Sequence, residues 1–336
     1  MGMRLPDANQ ETGARVTPFD WRAHLSIARP DHWFKNVFML PGVIVAASTV
    51  ESFSWTAVLL RTLIAAVALC LIASSYYTLN EILDAPFDRL HPTKHTRPIP
   101  SGRVRIPLAW AQWLVLFLAG LAVGSIISAW FVATLMLLWV AACAYNIPPV
   151  RTKDKPYLDV LSESINNPLR MVAGWFVVTS ITLPPASLLL SYWMIGAYFM
   201  ALKRFAEFRH IADAPRAAAY RRSFAFYTEE RLLVSIMFYG TSSMLFFGAF
   251  CMRYRLELLL AFPLVALVMA LYLHVALKPD SAAQNPEHLY REGALMSAVI
   301  GATFAMAVLL YVDIPAMYRM LSPTAPPQTN IPASTR

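Results

Sequence analysis

Apolar runs of membrane-crossing length recur along most of this 336-residue chain. Nine can be counted, at about 33–50, 57–79, 108–127, 130–145, 164–181, 186–202, 232–252, 256–277 and 294–312. Crossing the hydrocarbon core of a bilayer takes roughly 20 helical residues. No water reaches the backbone there, so each run must satisfy its own peptide groups, and a helix does that. The run at 130–145 is the weakest as a full span. Composition agrees with this reading: 57% of residues are hydrophobic and 14% are charged, where a soluble domain carries about 25% charged residues. The expected fold class is therefore all-α, a polytopic membrane protein of about nine transmembrane helices.

The net charge of +8 lies in short segments between the apolar runs. That placement argues for orientation in a membrane, not for binding nucleic acid. Apart from Arg61 and Arg170 within the runs, 22 Lys and Arg fall on the N-terminal side of the alternation, Lys35 at the start of the first run included, and four on the other. The bias expects a cytoplasmic N-terminus and, after nine crossings, an external C-terminus, in the plasma (inner) membrane. Connections on the basic side are long and polar, and those on the opposite side are short. Chemistry is expected on the long side.

Residues 1–20 are polar and lack the apolar core of a signal peptide. They are expected to form a disordered cytoplasmic tail. Residues 321–336, rich in Pro and Thr, are expected to form a second disordered tail, leaving 21–320 as a single membrane domain. Cys70, Cys143 and Cys251 are far apart within apolar runs and suggest neither a disulfide nor a metal site.

The connection after the second run reads NEILDAPFDRLHPTKHTRPIPSG (80–102). Asn80, Asp84 and Asp88 recur every four residues, which lines them along one side of a helix. Pro86 disfavours helix at Ala85, so a break is expected near the last carboxylate. Carboxylates this close repel each other unless a cation lies between them. Mg²⁺ takes oxygen ligands, typically one or two carboxylates together with substrate phosphates. With Lys94 and Arg97 following, the stretch reads as a metal–diphosphate site. The spacing alone is equally consistent with a solvated acidic helix end followed by a basic loop that sets topology.

The same stretch resembles the first aspartate-rich motif of the UbiA-type intramembrane prenyltransferases, N-D-x-x-D-x-x-x-D followed by R-P-x-P-S-G. It departs from that pattern at Glu81, where Asp is usual. The resemblance implies nine helices around a central cavity opening to the cytoplasmic side. It also implies a second acidic motif beyond the fourth helix, for which LDVLSESINNPLR (158–170) offers Asp159 and Glu163 at i, i+4 spacing; Asp154 is an alternative member. The metal ligands so implied are Asp84, Asp88, Asp159 and Glu163, with Asn80 beside them in the catalytic set and Mg²⁺ as cofactor. Asn166, Asn167 and Arg170 continue into the fifth run. An arginine there is costly and faces a cavity or a partner, and a structural pair with a carboxylate is the other reading.

LKRFAEFR (202–209) resembles a K-R-x-x-E element at the cavity mouth of related sequences. Lys203 and Arg204 there suit phosphate oxygens, and equally suit anchoring at the cytoplasmic interface. ARPDHWFKN (28–36) resembles the R-P-x-x-W-x-K-N opening of the decaprenyl-phosphate phosphoribosyltransferase branch, which implies phosphate contacts at the mouth for Lys35 and Asn36. The phosphate-binding set is then Lys35, Asn36, Lys94, Arg97, Lys203 and Arg204. Glu81, Tyr145, Asn166, Asn167, Arg170 and Glu207 are secondary candidates. Tyr220 to Tyr227 reads as a surface helix.

The resemblance implies an enzyme, a Mg²⁺-dependent transferase using a diphosphate donor and a polyprenyl lipid. The opening motif tilts toward phosphoribosyl transfer from phosphoribosyl diphosphate to polyprenyl phosphate. The alternative is prenyl transfer from a polyprenyl diphosphate to an aromatic or other acceptor. A transporter or non-catalytic scaffold is the reading from another class; the polar residues cluster on one side instead of along a midplane path, which speaks against it. Partners are the lipid substrate, the donor and membrane lipids, with no nucleic acid.

Overall fold

The computed structural model describes residues 19–51, 53–89, 94–211, 221–284 and 286–321. Most of both expected tails, and Tyr220, lie outside the described residues. Among the described residues the chain is helical without strands. The α-helices are α1 (Trp21–Ile27), α2 (Leu40–Ala47), α3 (Trp55–Asp88), α4 (Ile106–Gly124), α5 (Ala129–Asn146), α6 (Leu158–Ser164), α7 (Asn166–Val178), α8 (Ala186–Ile211), α9 (Glu229–Tyr254), α10 (Phe262–Ala276), α11 (Gly293–Leu309) and α12 (Pro315–Leu321).

Among the described residues six helical stretches are long and apolar enough to cross a membrane. They are α3, α4, α5, α8, α9 and the 21-residue stretch ending with α10. The fourth apolar run, read as the weakest, is an uninterrupted 18-residue helix. Three of the nine runs take a different form. The first is a 3-10 helix over Pro30–Met39 that continues into α2, the fifth is the 13-residue α7, and the ninth is the 17-residue α11.

Local sequence sets the helix starts. Asp20, Ser54, Ser128 and Thr228 each precede a helix, and each side chain accepts from the backbone N–H three residues on, which satisfies a donor the helix leaves unpaired. Ala85 stays helical despite Pro86, and α3 ends at Asp88, the last carboxylate, where the break is expected. Proline removes one intrahelical bond, and here it does so only two residues before the helix ends. Asn80, Asp84 and Asp88 therefore stay on one continuous helix.

Packing falls into two main cores. Met39, Leu69, Ile72, Phe131, Leu138 and Trp175 join α2, α3, α5 and α7. Val160, Tyr198, Leu202, Phe224, Ile236 and Tyr272 join α6, α8, α9 and α10. Small side chains bring helices close. A Cβ at Gly42 would lie 1.9 Å from the Met171 carbonyl oxygen, and one at Gly174 would lie 2.0 Å from that of Met39, so α2 and α7 meet backbone to backbone. The outward positions Leu59, Leu60 and Leu63 of α3, Val234, Met237 and Phe238 of α9, and Ile300 and Phe304 of α11 are all more than half exposed. Such apolar outer faces suit lipid.

Candidate active site

The polar ends of α3, α6 and α8 come together with two loops, 147–157 and 221–228. At the end of α3, Asp84 is flanked by two cations from the first loop. Lys153 Nζ donates to Asp84 Oδ1 at 2.7 Å and Oδ2 at 2.9 Å. The same ammonium reaches Asn80 Oδ1 at 3.1 Å and Asn146 Oδ1 at 3.0 Å. Arg151 donates through Nη2 to Asp84 at 3.0 Å and through Nε to Asp154 at 3.0 Å. Arg151 and Tyr157 hold positive φ angles of 28° and 62°, a conformation uncommon for residues with a side chain. Such strain persists only where surrounding structure fixes it. Burial pushes the Lys153 ammonium below its usual pKa, against the opposing pull of Asp84.

One turn on, Asp88 accepts from Arg97 Nη1 at 2.7 Å. Lys94 lies among the charges of Asp88, Arg97, Arg221 and Asp84, and burial lowers its pKa. Glu81 points away from the acidic line, and its Oε1 accepts from the backbone N–H of Ile99 at 3.1 Å. It thus holds the Pro98–Gly102 turn against α3.

The second acidic pair centres on Arg204, a fully buried guanidinium from α8. It donates to Asp159 at 3.3 Å, Glu163 at 2.7 Å and Glu207 at 3.0 Å. Lys203 lies 3.9 Å from Glu207. Glu163 also accepts from the Tyr145 hydroxyl at 3.0 Å. Burial raises the proton affinity of Glu163, but the positive charges of Arg204, Lys203, Arg221 and Lys35 outweigh it and hold the pKa down to about 2.

Asp159 has no exposed surface. It accepts from Tyr227 at 2.7 Å, Ser223 at 3.1 Å and Arg204, with Arg221 at 3.7 Å. The segment read as a surface helix is instead a 3-10 turn over Arg222–Ala225, with Ser223, Phe224 and Tyr227 buried. Asp159 pulls it inward because a buried carboxylate needs donors.

Asn36, expected at the mouth, is turned inside. Its Oδ1 accepts from Arg170 at 3.1 Å, and its Nδ2 donates to Cys70 at 3.2 Å. Arg170 also donates to Tyr76 at 2.8 Å and Asn167 at 3.4 Å, so the expected structural carboxylate partner is not found among the described residues. Asn166 Oδ1 is buried without a hydrogen-bond partner among them.

Sequence reasoning missed Arg151, Lys153, Arg221, Ser223 and Tyr227. In the sequence Arg151, Lys153 and Arg221 stand out only as part of the basic bias that sets topology. The place of Arg151 and Lys153 directly before the second acidic pair was the available signal.

Mg²⁺ needs hard oxygen donors in close array. Among the described residues no three His, Cys, Asp or Glu side chains converge as a metal group. Around Asp84, however, both its carboxylate oxygens and the amide oxygens of Asn80 and Asn146 surround one ammonium at 2.7–3.1 Å. Hard oxygens that already cradle a cation fit Mg²⁺. Asp88 and Glu163 present further carboxylate oxygens. Asp159 is buried, and Tyr227, Ser223 and Arg204 engage its oxygens.

Residues 36–296 match the profile of the UbiA prenyltransferase family. The chain belongs to that family. This UbiA-family transferase is 31% identical over 215 residues to decaprenyl-phosphate phosphoribosyltransferase of Mycolicibacterium smegmatis, covering 62% of this chain and 63% of that protein. It is 32% identical over 223 residues to the Mycobacterium tuberculosis protein of the same name, covering 66% and 70%. The match to the first of these thus spans less than two thirds of its length. The fold is shared with a UbiA homolog from Archaeoglobus fulgidus solved with GPP and Mg²⁺ (TM-score 0.65, 17% identity, 86% of this chain and 100% of that one).

Proposed function

We propose that this UbiA-family transferase moves a phosphoribosyl group from phosphoribosyl diphosphate to a polyprenyl phosphate, with Mg²⁺, at the basic and cytoplasmic face of the membrane. The observation that carries this reading is the set of cations at the acidic side chains: Arg204 on Glu163, Arg151 and Lys153 on Asp84, and Arg97 on Asp88. A diphosphate donor meeting an anionic nucleophile needs more positive charge than a metal alone supplies. The names of the mycobacterial relatives support the same reading.

In this chemistry a lipid phosphate oxygen attacks the pentose C1. The C1–oxygen bond to diphosphate breaks, and its electron pair leaves with the diphosphate. The nucleophile is already an anion, so no proton has to be removed. When bound, Mg²⁺ supplies positive charge to the departing diphosphate. Asp84 and Asp88 would hold it, with Glu163 available from the opposite side and Asn80 and Asn146 as neutral oxygens. Lys153 and Arg151 keep the acids compensated and place cations beside the phosphates. Lys94, Arg97 and Lys203 line the entrance. Arg204 fixes the direction of Glu163, and Asp159 positions the turn that carries Arg221.

The test is product identification by mass. Purified protein is offered polyprenyl phosphate with phosphoribosyl diphosphate, and separately prenyl diphosphate with aromatic acceptors. A phosphoribosylated lipid is the expected product. A prenylated acceptor without it would establish the ordinary family chemistry instead. Labelled substrate moved across vesicles without turnover would establish a transporter.

A further inference from the structure

Tyr76, Asn80, Asp84 and Asp88 stand at successive i, i+4 positions on α3. Each step advances about 6 Å along the helix axis. The outer rungs carry acids, and each acid has its cation: Lys153 and Arg151 on Asp84, and Arg97 on Asp88. The innermost rung is different. Tyr76 carries no charge, and its hydroxyl accepts from Arg170, a guanidinium only 4% exposed. The other partners of Arg170 are the amide oxygens of Asn36 and Asn167. All three are neutral, and no carboxylate lies within salt-bridge distance of Arg170 among the described residues.

A buried charge surrounded by neutral groups is costly, the more so within a membrane. Elsewhere in the site the buried guanidinium of Arg204 is met by three carboxylates. Arg170 has positive charge without a matching negative one. Three of its five N–H groups are accounted for by these contacts, and Asn167 and Cys70 beside it are only half-buried.

We propose that Arg170, with Tyr76 and Asn167, is the subsite for the phosphate head of the lipid acceptor, one rung below Asn80. This deepens the phosphoribosyl reading and rests on it. The ladder then sets the two reactants in order along α3. The donor diphosphate lies at the Asn80–Asp84–Asp88 rungs, and the acceptor phosphate lies about 6 Å deeper than Asn80, with its apolar tail among the helices. A planar guanidinium suits a phosphate monoester because it donates in parallel pairs.

The test is equilibrium binding of a long-chain polyprenyl monophosphate, and of the matching polyprenol, to the full-length protein in EDTA and without donor. Wild type should prefer the phosphate to the alcohol. Arg170→Gln should weaken phosphate binding by about tenfold or more and leave the alcohol unchanged, the loss expected for one charge-assisted contact. Arg170→Lys should recover part of it. Binding of phosphoribosyl diphosphate with Mg²⁺ should be the same in all three. Unchanged lipid-phosphate affinity in Arg170→Gln would overturn the subsite while leaving the phosphoribosyl reading intact; a wild-type protein that makes no phosphoribosylated lipid would remove that reading itself. If Arg170→Gln does not fold, Tyr76→Phe carries the same test, with several-fold weaker phosphate binding expected and unchanged binding overturning the subsite.

Discussion

The Lys153 ammonium lies 2.7 and 2.9 Å from the two carboxylate oxygens of Asp84. Two asparagine oxygens complete the cradle. These four oxygens would hold Mg²⁺, and Lys153 would then supply positive charge to a substrate phosphate beside it. Asp84→Asn should therefore lower turnover by about a hundredfold or more, on the scale of losing a main electrostatic contact, and should weaken Mn²⁺ binding measured by electron paramagnetic resonance. Excess EDTA should abolish turnover and Mg²⁺ restore it. Full activity in EDTA would contradict the metal assignment.

Asp159 should behave differently from Asp84. It is fully buried among Tyr227, Ser223 and Arg204, so Asp159→Asn takes the charged acceptor away from three buried donors. Breaking a buried ion pair costs about 3 kcal/mol. Thermal unfolding in detergent should show this loss. A variant that melts like wild type but binds metal poorly would point to Asp159 as a ligand.

Acid should weaken the protein partly through Glu163. Its pKa falls from the usual 4.5 to about 2 in the folded state. A depressed carboxyl contributes stability that is fully present above pH 4.5 and is lost as pH falls toward 2. Melting temperatures between those values should drop less steeply in Glu163→Gln than in wild type. Parallel curves would show that Glu163 is not the group responsible.

Lys35 is one of the cations that act on Glu163. Lys35→Met keeps most of the apolar stem and removes the charge. It should raise the Michaelis constant for polyprenyl phosphate severalfold, because a fixed cation offsets repulsion between two anionic substrates. Membrane insertion should not change. An unaltered constant with normal turnover would exclude the role.

The bias in Lys and Arg predicts sides. Reporter tags at the N-terminus and beside Lys94 should be protected together in sealed cells, and a tag after Tyr318 should be accessible from outside. Lys94 and Tyr318 on one side would mean that one of the three shorter apolar helices does not cross.

Most of the helical framework was legible because apolar runs and their breaks are local properties of the chain. The passage of α3 through Ala85 and Pro86 was not. The effect of Pro86 depends on how near the helix end it falls, which the sequence leaves open to a few residues. In the site, the i, i+4 line of Asn80, Asp84 and Asp88 could be read directly from spacing. The partners of those acids could not. Lys153 lies 69 residues from Asp84, and Arg204 lies 45 from Asp159; only the folded chain brings them together. Tyr227 reaches Asp159 across 68 residues, which is why an aromatic, basic stretch reads as surface helix until its buried acceptor is seen.

The reciprocal fit of Gly42 and Gly174 has a consequence for traffic through the protein. With a Cβ at either position landing about 2 Å from a carbonyl oxygen of the opposite helix, the seam between α2 and α7 is narrower than a methyl group. An isoprenoid tail, which bears a methyl on every repeat, cannot slip through it. A lipid whose head reaches the interior is therefore left to enter and leave by another gap between the helices, away from the seam bridged by Asn36 and Arg170.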